Sequence, residues 1–357
     1  MTATNSSLSC SPVDIASEVS AQVAEMQAIL QSGYGSSEVL RIGRTARPKP
    51  GPQEVLVRVH AAGVDRGTWH LMTGRPYLMR IMGFGFWAPK SPVPGLDLAG
   101  TVVEVGAAVT RFRVGDTVFG IGRGSFAELA CAREDKLAHV PAALSFEQAA
   151  VLGVSGGAAL QGLQAGKLQA GERVLIIGAS GGVGTFAVQL AKAMGAEVTG
   201  VCRTSKVETV RALGADHVID YTQRDFADGA VRYDLILDIG GNTAVARLRR
   251  ALTSTGRLVF VGGEDASDWG AGFGRQLYGV VLGAFVKQKF FMLMAREHHS
   301  FFEQLARFAD AGQLKPVFGR RCQLQDVPAA IDDLAAGHIS GKVVVVPTGA
   351  IRTESLN

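Results

Sequence analysis

The residues best placed to do chemistry lie in the middle of the chain, where Arg173 to Gly195 reads RVLIIGASGGVGTFAVQLAKAMG. Arg173–Ile177 is a short apolar run rich in β-branched residues, which predicts a buried strand. Gly178, Gly181 and Gly184 follow in a G-x-x-G-x-x-G spacing, with Gly182 between the last two. Val183, Phe186, Ala187, Leu190, Ala191 and Met194 then recur at spacings of three and four, one face of a helix, and Gly195 stands at its C-terminal end. A pyrophosphate needs free backbone N–H groups at a helix N-terminus and no Cβ in its way. Strand, glycine turn and helix in that order therefore predict a dinucleotide site, with Ser180, Gly181, Gly182 and Val183 against the pyrophosphate.

The next strand, Glu197–Cys202, ends at Arg203-Thr204-Ser205-Lys206. A site that prefers NADH places an acidic residue about 20 residues beyond the glycines, on the ribose 2′-hydroxyl. A carboxylate would repel a 2′-phosphate, whereas two cations and two hydroxyls attract one. Arg203 and Lys206 thus point to NADPH, with NADH as the alternative coenzyme. The other reading of the pair is the start of a solvated helix, although helix starts normally favour acids. His217–Tyr221, Tyr233–Ile239 and Arg257–Val261 supply further strands, and Gly240-Gly241 and Gly262-Gly263 end two of them. In a doubly wound parallel sheet, ligands lie beyond the carboxyl ends of the strands. Gly240, Gly241 and Asn242 are therefore expected along the cofactor groove, or else are ordinary turn residues.

These elements occupy only part of a 357-residue chain, which has room for about two domains. The net charge is +4, with dispersed cations and no nucleic-acid motif, so nucleic acid is not an expected partner. Cys10, Cys131, Cys202 and Cys322 are far apart, fit no metal or disulfide spacing, and suggest a reduced, cytoplasmic protein. Residues 1–25 are polar and small; they read as a disordered tail or as the product of a start codon upstream of Met26. Leu277–Met294 is the most apolar stretch, but Lys287 and Lys289 make a membrane span costly. It is expected as buried helix and strand, or at a subunit interface.

The N-terminal part has a different pattern. Gln27–Leu30, Val39–Ile42, Glu54–Ala61, Leu98–Gly106, Asp116–Gly120 and Phe126–Ala132 read as short antiparallel strands around glycine turns. Ser145-x-x-Gln148 has the form of a capping box. The apolar run Val343–Val346 near the far end is expected to return to this first domain and make it discontinuous.

Glu54-Val55-Leu56-Val57, Ala62-Gly63-Val64, Pro94–Gly100, Gly115–Val118, Gly181–Gly184 and Gly341-Lys342 occur in an order that resembles the medium-chain dehydrogenase/reductase superfamily. The likeness covers Met26–Pro347 and is greatest to the zinc-independent quinone-oxidoreductase-like enzymes. It implies an α/β protein in which a GroES-like β domain clasps a Rossmann domain, with the active site in the cleft. The expected division is 26–147 with 318–349 for the GroES-like substrate domain, 148–317 for the Rossmann domain, and 350–357 as a tail. Zinc alcohol dehydrogenases of the superfamily carry metal ligands where Asp65, Leu96 and Val154 stand here. One carboxylate cannot replace about three protein ligands, and the family's four-cysteine structural lobe is missing between Gly120 and Ser125, so neither a catalytic nor a structural zinc is expected.

Without a Lewis acid, simple alcohol oxidation is disfavoured, and reduction of a quinone or an α,β-unsaturated carbonyl fits better. An NADPH-binding protein with little turnover is the rival reading, since fold alone does not separate the two. The resemblance places Asp65 where relatives usually have asparagine, to orient nicotinamide or substrate; as an alternative, Asp65 caps a helix beginning near Gly67. Trp69 and His70 are candidates for an aromatic substrate pocket, with Tyr77 as a proton donor. Tyr77–Pro92 would form a lid suited to a hydrophobic ligand, or ordinary core. Tyr221 is expected beside the adenosine end. Lys342 matches a family lysine near the cofactor cleft, or is a strand-edge lysine. A homodimer is implied by the family and by the apolar Leu277–Met294 region.

Overall fold

The computed structural model describes residues 25–77, 80–81, 85–262 and 272–347. The tails expected at 1–25 and 350–357 lie outside them, apart from Glu25. Two sheets carry the architecture. The first has seven strands: β3 (Glu54–Val64), β4 (Asp97–Val105), β5 (Thr117–Ile121), β7 (Leu137–His139), β14 (Phe318–Gln323) and β15 (Lys342–Val346) run in the order β14-β15-β3-β4-β5-β7, and off this path β6 (Leu129–Arg133) pairs with β3. A separate hairpin joins β1 (Glu25–Gln31) to β2 (Leu40–Ala46). Phe126 and Ala127 meet β1, so the sixth strand starts later than expected. Strands from both ends of the chain thus share one sheet.

The second sheet is parallel throughout, in the order β10-β9-β8-β11-β12-β13. Its strands are β8 (Arg173–Ile177), β9 (Glu197–Cys202), β10 (His217–Asp220), β11 (Tyr233–Asp238), β12 (Leu252–Phe260) and β13 (Lys289–Met292). The order reverses between β8 and β11, and that reversal opens the crevice where ligands bind. The apolar β8 and β11 are buried on both faces, as parallel strands covered by helices must be.

Five helices position the site. α1 (Arg66–Thr73) follows β3 directly. α2 (Phe146–Ala149) starts on a complete capping box between Ser145 and Gln148. α3 (Gly153–Ala165) packs its small residues against α4 (Gly182–Ala193), the helix after the glycine turn. α5 (Val207–Ala212) follows the basic run at the end of β9.

The Leu277–Met294 stretch departs from its expected burial. It forms a helix, Phe273–Leu282, and the edge strand β13. Gly279 packs on Phe260, where an added Cβ would lie 2.7 Å from the ring. Leu277, Tyr278, Val281 and Phe285 are exposed. A helix beside an edge strand has core on one side, which leaves the other face uncovered.

Candidate functional site

The glycine turn is built by close approach. Gly178 has φ +87°, a left-handed conformation suited to glycine. A Cβ on Gly184 would come within 2.1 Å of the Gly178 carbonyl oxygen, so this glycine lets α4 pack directly on the end of β8. Gly181 is the N-cap of α4 and supplies no side-chain cap. The first-turn N–H groups therefore remain without a capping side chain, as an anion site requires. A Cβ on Gly181 would meet the Gly178 carbonyl oxygen at an ordinary 3.4 Å contact, whereas one on Gly182 would press on Lys342 and Ser155 at 3.1 and 3.2 Å. Ser180 is buried, and Gly182 and Val183 are half-buried, along the start of the helix.

Across the crevice, Gly240 approaches Gly178 and both Ile239 and Gly240 donate to the Ile177 carbonyl. Gly241 is buried with φ +75°, whereas Asn242 is exposed. Asp238, fully buried at the end of β11, accepts a hydrogen bond from Gly241 N at 3.3 Å. Its other oxygen pairs with Arg275 at 2.7 Å, and the same guanidinium nitrogen donates to the Thr243 carbonyl at 2.8 Å. Burial pushes the Asp238 carboxyl up, and Arg275 opposes that shift.

At the end of β9, Arg203 projects into solvent and Tyr221 is half exposed at the end of β10. Lys206 is not a free surface cation. Its Nζ donates to the carbonyls of Gly337 at 3.0 Å and Ile339 at 2.7 Å, in the turn before β15. Burial, and then the Arg203 cation, hold its pKa below the ordinary lysine value.

Lys342 is not a strand-edge lysine, because β15 lies between β14 and β3. Its side chain is 1 % exposed and its Nζ lies 2.8 Å from Asp97 and 3.3 Å from Asp65. Its stem passes the glycine turn, since a Cβ on Gly182 would sit 3.1 Å from Lys342 Cδ. Asp97 also accepts from Val154 N, at the start of α3, at 2.7 Å. Burial lifts the Asp97 carboxyl to about 7; the Lys342 charge pulls it down and the Asp65 charge pushes it up. For Lys342, burial opposes the charge, but the two carboxylates outweigh it and hold the pKa above the ordinary value.

Both oxygens of Asp65 are engaged. Oδ1 accepts from Thr68 N at 2.8 Å and caps α1, while Oδ2 faces Lys342. The helix-capping alternative and a place in the cleft's charge cluster are thus combined in one carboxylate. Trp69 packs against the β-domain core, beneath the Arg66 guanidinium. His70 shares a hydrogen bond with the Arg75 carbonyl at 2.8 Å. Tyr77 stacks on Arg80, which also covers Tyr34. These contacts give Trp69, His70 and Tyr77 structural partners. Within the expected lid, residues 78–79 and 82–84 lie outside the described residues, and Ile81, Phe86 and Trp87 are exposed.

Asp97, Asp238 and Arg275 were not among the site residues expected from sequence. Two carried a signal. Asp97 opens the apolar run DLAGTVV and Asp238 closes YDLILD, and a carboxylate inside a buried strand requires a partner. Among the described residues, no group of three or more His, Cys, Asp or Glu side chains could hold a metal ion. None of the described helices is long and apolar enough to cross a membrane.

Comparison with known proteins agrees with this layout. Residues 51–142 match the alcohol dehydrogenase GroES-like domain and residues 213–345 the model described as zinc-binding dehydrogenase. The mouse (Mus musculus) mitochondrial NAD(P)H oxidoreductase RTN4IP1 is 32 % identical, over 92 % of this chain and 91 % of its own. The pig (Sus scrofa) quinone oxidoreductase is 30 % identical, over 90 % of this chain and 98 % of its own. The structure of the quinone oxidoreductase from Coxiella burnetii superimposes with a TM-score of 0.80 at 28 % identity, covering 90 % of this chain and 99 % of that one. The chain belongs to the quinone-oxidoreductase-like branch of the medium-chain dehydrogenase/reductase superfamily, a group of oxidoreductases.

Proposed function

We propose that this oxidoreductase uses NADPH to reduce a quinone or an α,β-unsaturated carbonyl. The observation that carries this reading is the start of α4, without a capping side chain, at a tight glycine turn, which fits a dinucleotide pyrophosphate. Arg203, exposed at the end of β9, favours a coenzyme bearing a 2′-phosphate. A relative from Arabidopsis thaliana, 30 % identical over 90 % of this chain, is named an NADPH-dependent alkenal/one oxidoreductase.

NADPH, when bound, would supply hydride to an electrophilic carbon whose negative charge then spreads onto oxygen. The chain's own residues bind and orient. Ser180, Gly181, Gly182 and Val183 hold the pyrophosphate; Gly240, Gly241 and Asn242 line the groove; Arg203, Lys206 and Tyr221 take the adenosine end. Asp65 and Lys342 act as positioning residues between the glycine turn and α1. Tyr77 is the candidate donor to the developing oxyanion, with Trp69 and His70 on the adjoining helix. The chemistry is read as zinc-independent. Leu96 and Val154 offer no metal ligand, and the Asp65 carboxylate is committed to a helix cap and an ammonium.

In the same reading, residues 26–147 and 318–349 form the substrate domain and 148–317 the coenzyme domain. The uncovered Leu277, Tyr278, Val281 and Phe285 beside edge strand β13 serve a homodimer interface. A cytoplasmic location is supported by Cys131, Cys202 and Cys322, which are buried, unpaired thiols. Steady-state assays with NADPH, NADH and a panel of quinones, enals and enones test the activity. Turnover with NADPH is expected, with Arg203→Ala weakening NADPH roughly 10- to 100-fold and leaving NADH nearly unchanged. Saturable binding without turnover across the panel would favour the rival, non-catalytic role.

A further inference from the structure

Lys206 has three N–H donors, and two of them reach carbonyls of the other half of the molecule. The acceptors, Gly337 O at 3.0 Å and Ile339 O at 2.7 Å, flank His338 in the turn before β15. The far end of that turn is held as well. Gly341 N donates to Ser180 O at 3.0 Å, and Gly341 pairs with Gly181 as an isolated parallel bridge. Gly337 and Gly341 both have φ +71°, so the turn follows a path that favours glycine at each end. The next residue, Lys342, is locked between Asp65 and Asp97. Residues 337–342 therefore form a strap between two stations of the coenzyme groove. One station is Lys206, at the end of β9. The other is the pyrophosphate turn.

A free lysine loses rotamer entropy when a ligand fixes it. At Lys206 the strap has already fixed the side chain. One N–H is left over, and Arg203 stands three residues away, so a phosphate drawn to this pair would meet a pre-ordered donor. Linkage makes the effect reciprocal: whatever the strap adds to phosphate binding, the phosphate returns to the strap.

We propose that Lys206 is a positioning and specificity residue that couples the coenzyme's 2′-phosphate to the strap 337–342, so that a phosphorylated dinucleotide, and not its unphosphorylated counterpart, tightens the contact between the two halves of the enzyme. This rests on the reading of Arg203 and Lys206 as the 2′-phosphate end. The coupling follows a continuous line of contacts from Lys206 through Gly337 and Ile339 to Gly341 and Ser180.

Hydrogen exchange of the full-length chain tests it, with peptides covering 337–342 followed without nucleotide and at saturation with NADPH or NADH. In the wild type, NADPH should slow exchange in the strap about tenfold more than NADH, within the usual range of coupling between sites. Lys206→Met should exchange faster there even without nucleotide, and the two nucleotides should protect it equally. Equal protection by both nucleotides in a wild type that binds NADPH more tightly would overturn the coupling. So would a Met variant whose strap exchanges as slowly as the wild type's. Should the wild type bind NADH as tightly as NADPH, the phosphate reading falls, and the nucleotide-free comparison alone decides whether Lys206 holds the strap. Where the Met variant does not fold, Lys206→Gln retains N–H donors without the charge. It should keep slow exchange without nucleotide and lose the extra protection by NADPH; retained extra protection would count against the proposal.

Discussion

Asp97 and Asp238 are both fully buried carboxylates at the ends of β-strands, yet their surroundings differ in charge balance. Asp238 has a guanidinium of its own in Arg275 and a backbone N–H from Gly241. Asp97 shares one ammonium, that of Lys342, with a second carboxylate, Asp65. The first cluster is neutral when both partners are ionised; the second carries an excess negative charge. Burial raises both acids, but the Asp65 charge adds to the shift of Asp97, which reaches about 7. Burial is the largest cause of the upward shift in both acids, and the cation beside each opposes it.

Removing each cation sharpens that contrast. Lys342→Met would leave two buried carboxylates without a counter-charge. A loss of about 3–5 kcal/mol is expected from urea unfolding at neutral pH, together with weakened coenzyme binding as the glycine turn loses its neighbour. Arg275→Met should cost less, about 2–3 kcal/mol, because it strips the cation from one buried carboxylate and not from two. A larger loss from Arg275→Met than from Lys342→Met would break the comparison.

The remaining effect is a slope. The folded pKa of Asp97, about 7, lies above its ordinary value of 3.8. The native state therefore holds a proton that the unfolded chain releases, and stability from this group is complete below about pH 4 and declines as pH rises through about 7. Asp97→Asn removes the titration. The wild type should lose stability relative to the variant by at most about 1.4 kcal/mol per pH unit across that window, as measured by unfolding at a series of pH values. A difference that stays flat between pH 4 and 7 would place the Asp97 titration elsewhere.

The coenzyme half was far more legible in the sequence than the substrate half. Arg173–Ile177 and Glu197–Cys202 form strands with the bounds their composition predicts, because parallel strands buried on both faces leave a continuous apolar signature. The glycine spacing then located the turn, since backbone contact excludes any other residue at Gly184. Lys206 and Lys342 were visible as charges near the groove, but their partners were not. Gly337 and Ile339 lie more than 130 positions from Lys206, and they act through backbone carbonyls, which no residue type announces. Trp69, His70 and Tyr77 illustrate the same limit: their types mark an aromatic cluster, but not its contacts with Arg66, the Arg75 carbonyl and Arg80. For Phe273–Leu282 the sequence left burial and a subunit interface both open, because apolar composition signals cover without saying whether this chain or another provides it.

Among the described residues β15 is the last strand in chain order, and it inserts between β14 and β3, beside a strand made some 280 residues earlier. Asp65 and Asp97 are therefore synthesised long before the ammonium that neutralises them. During translation the two acids must stay hydrated or protonated while the parallel sheet assembles between them and their cation. Arrival of Lys342 then seals both halves at once, so a chain truncated just before it would be expected to retain an organised nucleotide sheet but an open, acid-lined seam.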